Sequence, residues 1–190
     1  MALEIESKLK VDAHGPVRDR LAGLGGRYVG RVLETNRIFD SADRRLLVGD
    51  RGLRVRTCRS EDGSAVEATL TYKGPCQETT YKSRRQIETV VADGEAAVEI
   101  LKALGFGEVV HFQKRRETWQ LGPCIVELDE VPYLGCYVEI EGPSEQAVGH
   151  VQEQIGLGHL SHEPQSYIAL LVAHCESHNL PTVPILFEGS

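Results

Sequence analysis

A short stretch near the amino terminus, LEIESKLKV at residues 3–11, carries a charged group at every second position. Side chains of a β-strand alternate between two faces, so Glu4, Glu6, Lys8 and Lys10 share one face and the apolar residues lie on the other. Such a face is either a solvated surface or the wall of a site that binds charge. Carboxylates separated by one residue lie about 7 Å apart on the same face, where they can share the binding of Mg²⁺ or Mn²⁺.

Six further segments alternate in the same way, and turn residues separate them. They are LRVRT (53–57), VEATLTYKG (66–74), YKSRRQIETVV (81–91), HFQKRRETW (111–119), CIVELDEV (124–131) and YVEIEG (137–142). Their charges are segregated, because residues 44–59 contain six arginines whereas residues 127–145 contain acids and no basic residue. This separation favours the binding of a small polyanion, with the acids recruiting a metal ion.

Composition bounds the class of protein. The chain has 190 residues, of which 41% are hydrophobic and 26% are charged, which is typical of one globular domain, or at most two, with a core that needs no disulfides. A formal net charge of −7 argues against a general nucleic-acid-binding protein. The sequence has no apolar run of membrane-spanning length, no signal-peptide pattern and no CxxC pair among its five cysteines. We therefore expect a reduced, cytoplasmic protein that binds neither nucleic acid nor membrane.

Four segments have helical patterns: residues 16–26, 93–107, 144–156 and 166–178. Asp93 and Ser144 are the expected caps of the second and third helices. If the helices cover the apolar strand faces, the charged faces lie on the other side of the sheet. Seven or eight antiparallel strands tend to curl, and about eight close into a barrel, so the charged face is either interior or, in an open sheet, in water. We expect one domain over residues 1–175, followed by an irregular tail over 176–190.

In this order, the segments resemble the CYTH superfamily, also called triphosphate tunnel metalloenzymes. The resemblance spans residues 2–172 and rests on the E-x-E-x-K run, FDSADRRL, GLRVR, LTYKGP, KSRRQIETVVAD, ILKALGF, KRRETW, ELDEVPYLGCYVEIEG and SYIALL. The motifs LTYKGP, LGF and DEVPYLGCYVEIE are most similar to those of the class IV adenylyl cyclase branch. The resemblance implies an α+β fold: an eight-stranded antiparallel β-barrel, or tunnel, lined by the charged faces, with helices packed outside.

The resemblance also implies roles for individual residues. The metal-binding acids, for Mg²⁺ or Mn²⁺, are Glu4, Glu6, Glu88, Asp129, Glu139 and Glu141. The cations that bind phosphate are Lys8, Arg54, Arg56, Lys73, Lys82, Arg84, Lys114 and Arg116. Catalytic roles fall on Lys8, Glu4 and Glu6. Two positions depart from the family pattern, because Gln86 and Asn36 stand where acids are frequent, so the number of metal ions, one or two, stays open.

Three functions remain possible on these grounds. The first is a class IV adenylyl cyclase that converts ATP to 3′,5′-cyclic AMP and pyrophosphate in the charged tunnel. The second is a triphosphatase that acts on inorganic or thiamine triphosphate with the same residues. The third is a non-catalytic module that binds polyphosphate. In each case the partner is a nucleoside triphosphate or a small triphosphate, and the superfamily often forms homodimers.

Overall fold

The computed structural model describes residues 5–61, 63, 66–77 and 83–188, of which residues 76, 77, 83 and 84 are described by their backbone only. Eight strands are present among them. They are β1 (Ile5–Lys10), β2 (Arg27–Ser41), β3 (Gly52–Ser60), β4 (Val66–Gln77), β5 (Ser83–Val91), β6 (Phe106–Leu121), β7 (Cys124–Val131) and β8 (Gly135–Gly142). Seven correspond to the segments predicted from alternation, and β2 is the additional one.

Five helices accompany the strands: α1 (Gly15–Gly23), α2 (Arg45–Val48), α3 (Gly94–Ala103), α4 (Glu145–Gln154) and α5 (Tyr167–His178). The predicted caps are confirmed, since the Asp93 carboxylate accepts from the backbone N–H groups of Glu95 and Ala96, and the Ser144 hydroxyl accepts from that of Ala147. Gly105 follows α3 with φ at +88°, a conformation that disfavours residues with a Cβ. The four-residue α2 was not predicted.

The eight strands form one sheet in the order β1-β8-β7-β6-β2-β3-β4-β5. The pairs β1–β8, β7–β8, β6–β7, β2–β3 and β3–β4 are antiparallel. The expected eight-stranded antiparallel sheet with helices is therefore confirmed. Among the described residues the sheet is not closed, since β1 and β5 are its two edge strands.

The chain divides into two compact units. Unit 1 comprises residues 1–31, 78–83 and 115–165, and unit 2 comprises residues 32–77, 84–114 and 166–190. The long strands β2 and β6 contribute residues to both units.

The core of unit 1 lies between the apolar faces of β1, β7 and β8 and the helices α1 and α4. Leu9, Leu21, Val126, Ile140 and Val151 are all buried in it. These positions alternate with the charged ones along the strands, so the sheet buries its apolar face beneath the helices. The charged face of β1 is thereby turned away from this core.

The core of unit 2 is built in the same way by α3 against β3 and β4. Phe39, Val55, Val98 and Leu101 form its buried cluster. The chain after α5 also packs in this unit, because Ile185 is fully buried and forms a bridge to Phe112 of β6.

In the ranges given above, no helix has both the length and the hydropathy that a membrane crossing requires. The four cysteines described there, at positions 58, 124, 136 and 175, are all free thiols.

Candidate functional site

In unit 1, the strand register brings acidic side chains together on the face opposite the core. Glu6 pairs with Glu141 across β1 and β8, and Glu139 pairs with Glu127 across β8 and β7. Together with Asp129, these residues form what we call the acidic cluster. Residues directly opposite in an antiparallel pair have Cβ atoms about 5 Å apart, and like charges so placed repel each other.

Arg116 of β6 neutralises part of the acidic cluster. Its Nε and Nη2 donate to the two carboxylate oxygens of Asp129 at 2.7 and 2.6 Å. Its guanidinium is also ion-paired with Glu127 and Glu139. Asp129 is completely buried, and the Arg116 side chain is 13% exposed. One cation therefore holds three carboxylates through charge-assisted hydrogen bonds.

Lys8 lies opposite Glu139 in the register and is buried. Its Nζ donates to the backbone carbonyl of Gln165. Its backbone N–H donates to His162 Nδ1 at 3.0 Å, and its carbonyl accepts from the N–H of Glu163 at 2.7 Å. The segment 162–165 therefore binds the free edge of β1 at Lys8. Lys8, Asp129 and Glu139 are buried, whereas Glu6 and Lys10 on the same face of β1 are exposed, so the charged face is solvated only in part.

In unit 2, the corresponding face carries cations, and we call Arg54, Arg56, Lys73 and Lys114 the basic cluster. Arg54 and Arg56 project from β3, and Lys114 projects from β6. Lys114 is buried, with its Nζ 3.4 Å from Glu34 Oε2 and 5.3 Å from the centre of the Tyr167 ring. Burial strengthens the attraction of these cations for any anion, because little water competes.

Two carboxylates balance the basic cluster. Glu34 of β2 is buried, with Oε1 3.7 Å from Arg56 Nη1, and it also accepts from Asn36 Nδ2 at 3.4 Å. Glu88 of β5 lies 3.7 Å from Arg54 Nη2 and 3.8 Å from Arg56 Nη2. These ion pairs are longer than the hydrogen bonds of Arg116, so the guanidinium groups of unit 2 are held less firmly.

Buried donor atoms of the basic cluster lack partners in the part of the chain that the structure describes. Arg56 Nε is one of them, and beside the cluster so is the hydroxyl of Thr69, which lies opposite Arg56 in the β3–β4 register. Thr71, two residues further along β4, donates its hydroxyl to Glu88 at 2.6 Å. A buried polar atom without a partner is rare because it loses its hydrogen bonds to water. An anion that accepts from Arg56 and Thr69 would satisfy both atoms.

A thiol also faces the basic cluster. Cys58 pairs with Glu34 in the β2–β3 register. Burial, reinforced by the negative charge of Glu34, raises the pKa of the Cys58 thiol above its usual value. The group stays protonated near neutral pH, so it is unsuited to act as a nucleophile.

The structure distributes the predicted site residues between the two units. Arg116, Asp129, Glu139 and Lys8 lie together in unit 1 with Glu6 and Glu141, whereas Glu88 lies in unit 2 with Arg54 and Arg56. Lys73 follows Thr69 and Thr71 on the same face of β4. Glu4 and Lys82 fall outside the described residues, as does the side chain of Arg84.

Sequence reasoning missed three groups that belong to these clusters: Glu34, Glu127 and Thr69. Glu127 alternates with Val126 and Leu128 just as Asp129 does, so the alternation was a sufficient signal. Glu34 lies on β2, the strand that was not among the seven predicted segments. Thr69 carries no charge, and its importance is visible only from its burial and unpaired hydroxyl.

The acidic cluster fits a divalent metal ion by its chemistry. Its donors are all carboxylates, the ligands that Mg²⁺ and Mn²⁺ prefer, and the Glu6–Glu141 repulsion is of the kind that a bound cation relieves. No group of three or more acidic, His or Cys side chains in the described ranges is arranged to hold an ion as it stands. In unit 1, Arg116 occupies the space among Glu127, Asp129 and Glu139.

Comparisons with known proteins identify the family of the chain. The family model described as the CYTH domain matches residues 2–167. A protein of Methanocaldococcus jannaschii named "Putative adenylate cyclase" is 33% identical over 139 residues, which cover 73% of this chain and 76% of the relative. A solved Pyrococcus horikoshii protein has a TM-score of 0.76 and 26% identity, covering 90% of this chain and 99% of that one. A Hippeastrum protein, described as a "Putative adenylyl cyclase" with a dominant triphosphatase activity, shares the fold with a TM-score of 0.71 and 18% identity, covering 92% and 96% of the two chains.

Proposed function

The chain belongs to the CYTH family, and on that premise we propose that it is a divalent-metal-dependent adenylyl cyclase that converts ATP to 3′,5′-cyclic AMP and pyrophosphate. The choice of the cyclase reaction is supported by the 33% identical relative that carries this name. It is also supported by the motifs LTYKGP and DEVPYLGCYVEIE, which resemble those of class IV adenylyl cyclases.

The proposal of a triphosphate substrate rests on two buried hydrogen-bond donors in unit 2. Arg56 Nε and the Thr69 hydroxyl are buried without partners among the described residues. The ammonium of the buried Lys114 belongs to the same cluster, since Glu34 contacts both Lys114 and Arg56. Phosphate oxygens accept such hydrogen bonds and carry the charge that the basic cluster complements. Glu34 and Glu88 offset only part of that positive charge, so an anion complements the cluster better than a neutral ligand does.

The residues of the chain then act mainly by positioning and neutralisation. Arg54, Arg56 and Lys114 would donate to phosphate oxygens and hold the chain of phosphates. The ribose 3′-hydroxyl attacks the α-phosphorus in line, its proton passes to solvent water, and the bond from the α-phosphorus to the bridging oxygen of the pyrophosphate breaks. Charge accumulates on the departing pyrophosphate, where the same cations stabilise it. Carboxylates of the acidic cluster, Glu6, Asp129, Glu139 and Glu141, would hold Mg²⁺ or Mn²⁺, which supplies further neutralisation of phosphate charge.

Hydrolysis of inorganic or thiamine triphosphate would use the same residues, because it requires the same neutralisation of phosphate charge. The products therefore decide between the two reactions. The purified chain should be incubated with ATP, inorganic triphosphate and thiamine triphosphate in turn, each with Mg²⁺ or Mn²⁺. Cyclic AMP and pyrophosphate from ATP are the expected products. Orthophosphate from inorganic or thiamine triphosphate, with no cyclic AMP from ATP, would replace the cyclase with a triphosphatase.

A pair of variants tests the basic cluster in the same assay. Arg56→Met should weaken ATP binding by about 1.5–3 kcal/mol, the worth of a charge-assisted hydrogen bond, and reduce turnover. Arg45→Met is the matched control, since its side chain is 79% exposed and pairs with Asp43. If both variants bound and converted ATP like the wild type, the basic cluster would not be the substrate site.

A further inference from the structure

The bonding of Arg116 has a consequence for metal binding. Three carboxylates, from Glu127, Asp129 and Glu139, surround one guanidinium. Three negative charges and one positive charge leave a formal charge of −2, which a divalent cation would balance. Yet the carboxylate oxygens that such an ion would need are hydrogen-bonded to the arginine.

Geometry makes the arginine and the ion alternatives to each other. Asp129 is fully buried, and both of its oxygens accept from Arg116, at 2.6 and 2.7 Å. An ion bound by the three carboxylates would require ligand distances of about 2.1–2.5 Å to the same oxygens. A guanidinium in contact with those oxygens occupies that position, which accords with the lack of a ready metal-binding group among the described residues.

We propose that Arg116 is an internal counter-cation that competes with the divalent ion for Glu127, Asp129 and Glu139, so that binding of the ion displaces the guanidinium from these carboxylates. The proposal rests on the proposed function in one respect, namely that Asp129 and Glu139 hold the ion; Glu127 is included because Arg116 pairs with it as well. Arg116 is thus a positioning residue for the metal.

In the absence of the ion, the arginine keeps the buried carboxylates compensated.

The test uses Mn²⁺ alone, so that its outcome does not depend on catalysis. Arg116→Gln removes the competing charge and should lower the Kd for Mn²⁺ by about tenfold or more, measured by calorimetric titration. Without metal, the variant should melt below the wild type, because uncompensated carboxylates remain buried, and Mn²⁺ should raise its melting temperature more than it raises that of the wild type. Arg116→Lys keeps a positive charge without the planar guanidinium, so its Kd for Mn²⁺ should lie between those of the wild type and Arg116→Gln.

Arg115→Gln is the matched control. It neighbours Arg116 on the opposite face of β6, where its Nη1 lies 3.2 Å from Glu130 and its side chain is 43% exposed. This variant should bind Mn²⁺ like the wild type. Equal or weaker Mn²⁺ affinity in both Arg116 variants would overturn the competition. Arg116→Lys keeps the test decisive if Arg116→Gln does not fold. Failure of the wild type to form cyclic AMP would instead overturn the proposed function and leave the Mn²⁺ result standing.

Discussion

Thr69 and Thr71 permit a sharp test of the phosphate site, because they lie on the same face of β4 and differ in their hydrogen bonding. Both are buried, at 4% and 0% exposed. The Thr69 hydroxyl has no partner among the described residues, whereas that of Thr71 donates to Glu88 at 2.6 Å. Substitution by valine replaces the hydroxyl with a methyl group and preserves the branched shape.

The two substitutions should therefore change stability in different directions. A buried polar group without a partner costs about 1–3 kcal/mol, so Thr69→Val should leave the free energy of unfolding unchanged or raise it by about 1 kcal/mol. Thr71→Val removes a hydrogen bond to a carboxylate and should lower it by about 1–2 kcal/mol. In a chain of this length, 1 kcal/mol shifts the melting temperature by about 2–4 °C, which calorimetry resolves easily.

Substrate affinity should separate from stability in Thr69→Val. If its hydroxyl donates to a phosphate oxygen, the variant loses about 1.5 kcal/mol of binding, or about a tenfold rise in the Kd for tripolyphosphate. Calorimetric titration at fixed salt measures this change. A variant that is more stable but binds less tightly would locate the ligand at Thr69. A loss of stability equal to that of Thr71→Val, or an unchanged Kd, would refute the reasoning.

The remaining predictions concern the metal and the pH. Glu6→Gln removes the repulsion with Glu141, so the metal-free protein should be as stable or up to about 0.5 kcal/mol more stable, while Mn²⁺ stabilisation and turnover are lost; wild-type turnover in this variant would contradict a metal role. EDTA should abolish turnover and Mg²⁺ or Mn²⁺ should restore it, whereas zinc-selective chelators should do little. Burial alone would raise the pKa of Asp40, but hydrogen bonds from the N–H groups of Leu47, Leu46 and Ser41 lower it below 3.8. The stabilising contribution of the ionised Asp40 is therefore complete above that value and is lost as the pH falls through the folded-state pKa. In Asp40→Asn the free energy of unfolding, measured by denaturant titration at several pH values, should depend less on pH over this acidic range.

Local signals predicted most of the elements. Alternation with a period of two located seven of the eight strands, because apolar and charged side chains take alternate positions along each of them. Asp93 and Ser144 were predicted as caps and accept the expected hydrogen bonds, since capping depends only on the residues within one turn. These features are determined by short stretches of sequence, and the sequence reports them directly.

Alternation did not locate strand β2, for a physical reason. Over Arg27–Ser41 charged side chains occur on both faces, as with Glu34 and Arg37, so the alternation is broken. Arg37 faces away from the basic cluster and pairs with Glu95 and Glu108 at 2.8 Å. A charge on the helix-covered face is tolerated when it has such partners, but only the folded chain supplies them.

Pairing within the clusters also lies beyond sequence reasoning. Alternation assigns Arg116 and Asp129 to the same face of the sheet, but it does not determine that the arginine joins three carboxylates. That result depends on the β6–β7 register, which places Arg116 directly opposite Asp129. Register is fixed by turns and by the packing of the whole sheet. The family resemblance implied a phosphate-binding role for Arg116, and its pairing with the three carboxylates is visible only in the folded chain.

The two clusters can be buried before any ligand binds because each contains its own counter-ions. Arg116 compensates Asp129 and its neighbours in unit 1, and Glu34 and Glu88 compensate the cations of unit 2, including Lys114. Burial of uncompensated charge would cost several kcal/mol per group, so these pairs permit folding without substrate. The same pairs must loosen when an ion or a phosphate arrives, since the incoming charge uses the same atoms. The long 3.7–3.8 Å contacts of Glu88 should yield to a phosphate more readily than the 2.6 Å bond between Arg116 and Asp129 yields to an ion. Binding of the anion should therefore depend less on the internal counter-ions than binding of the metal does.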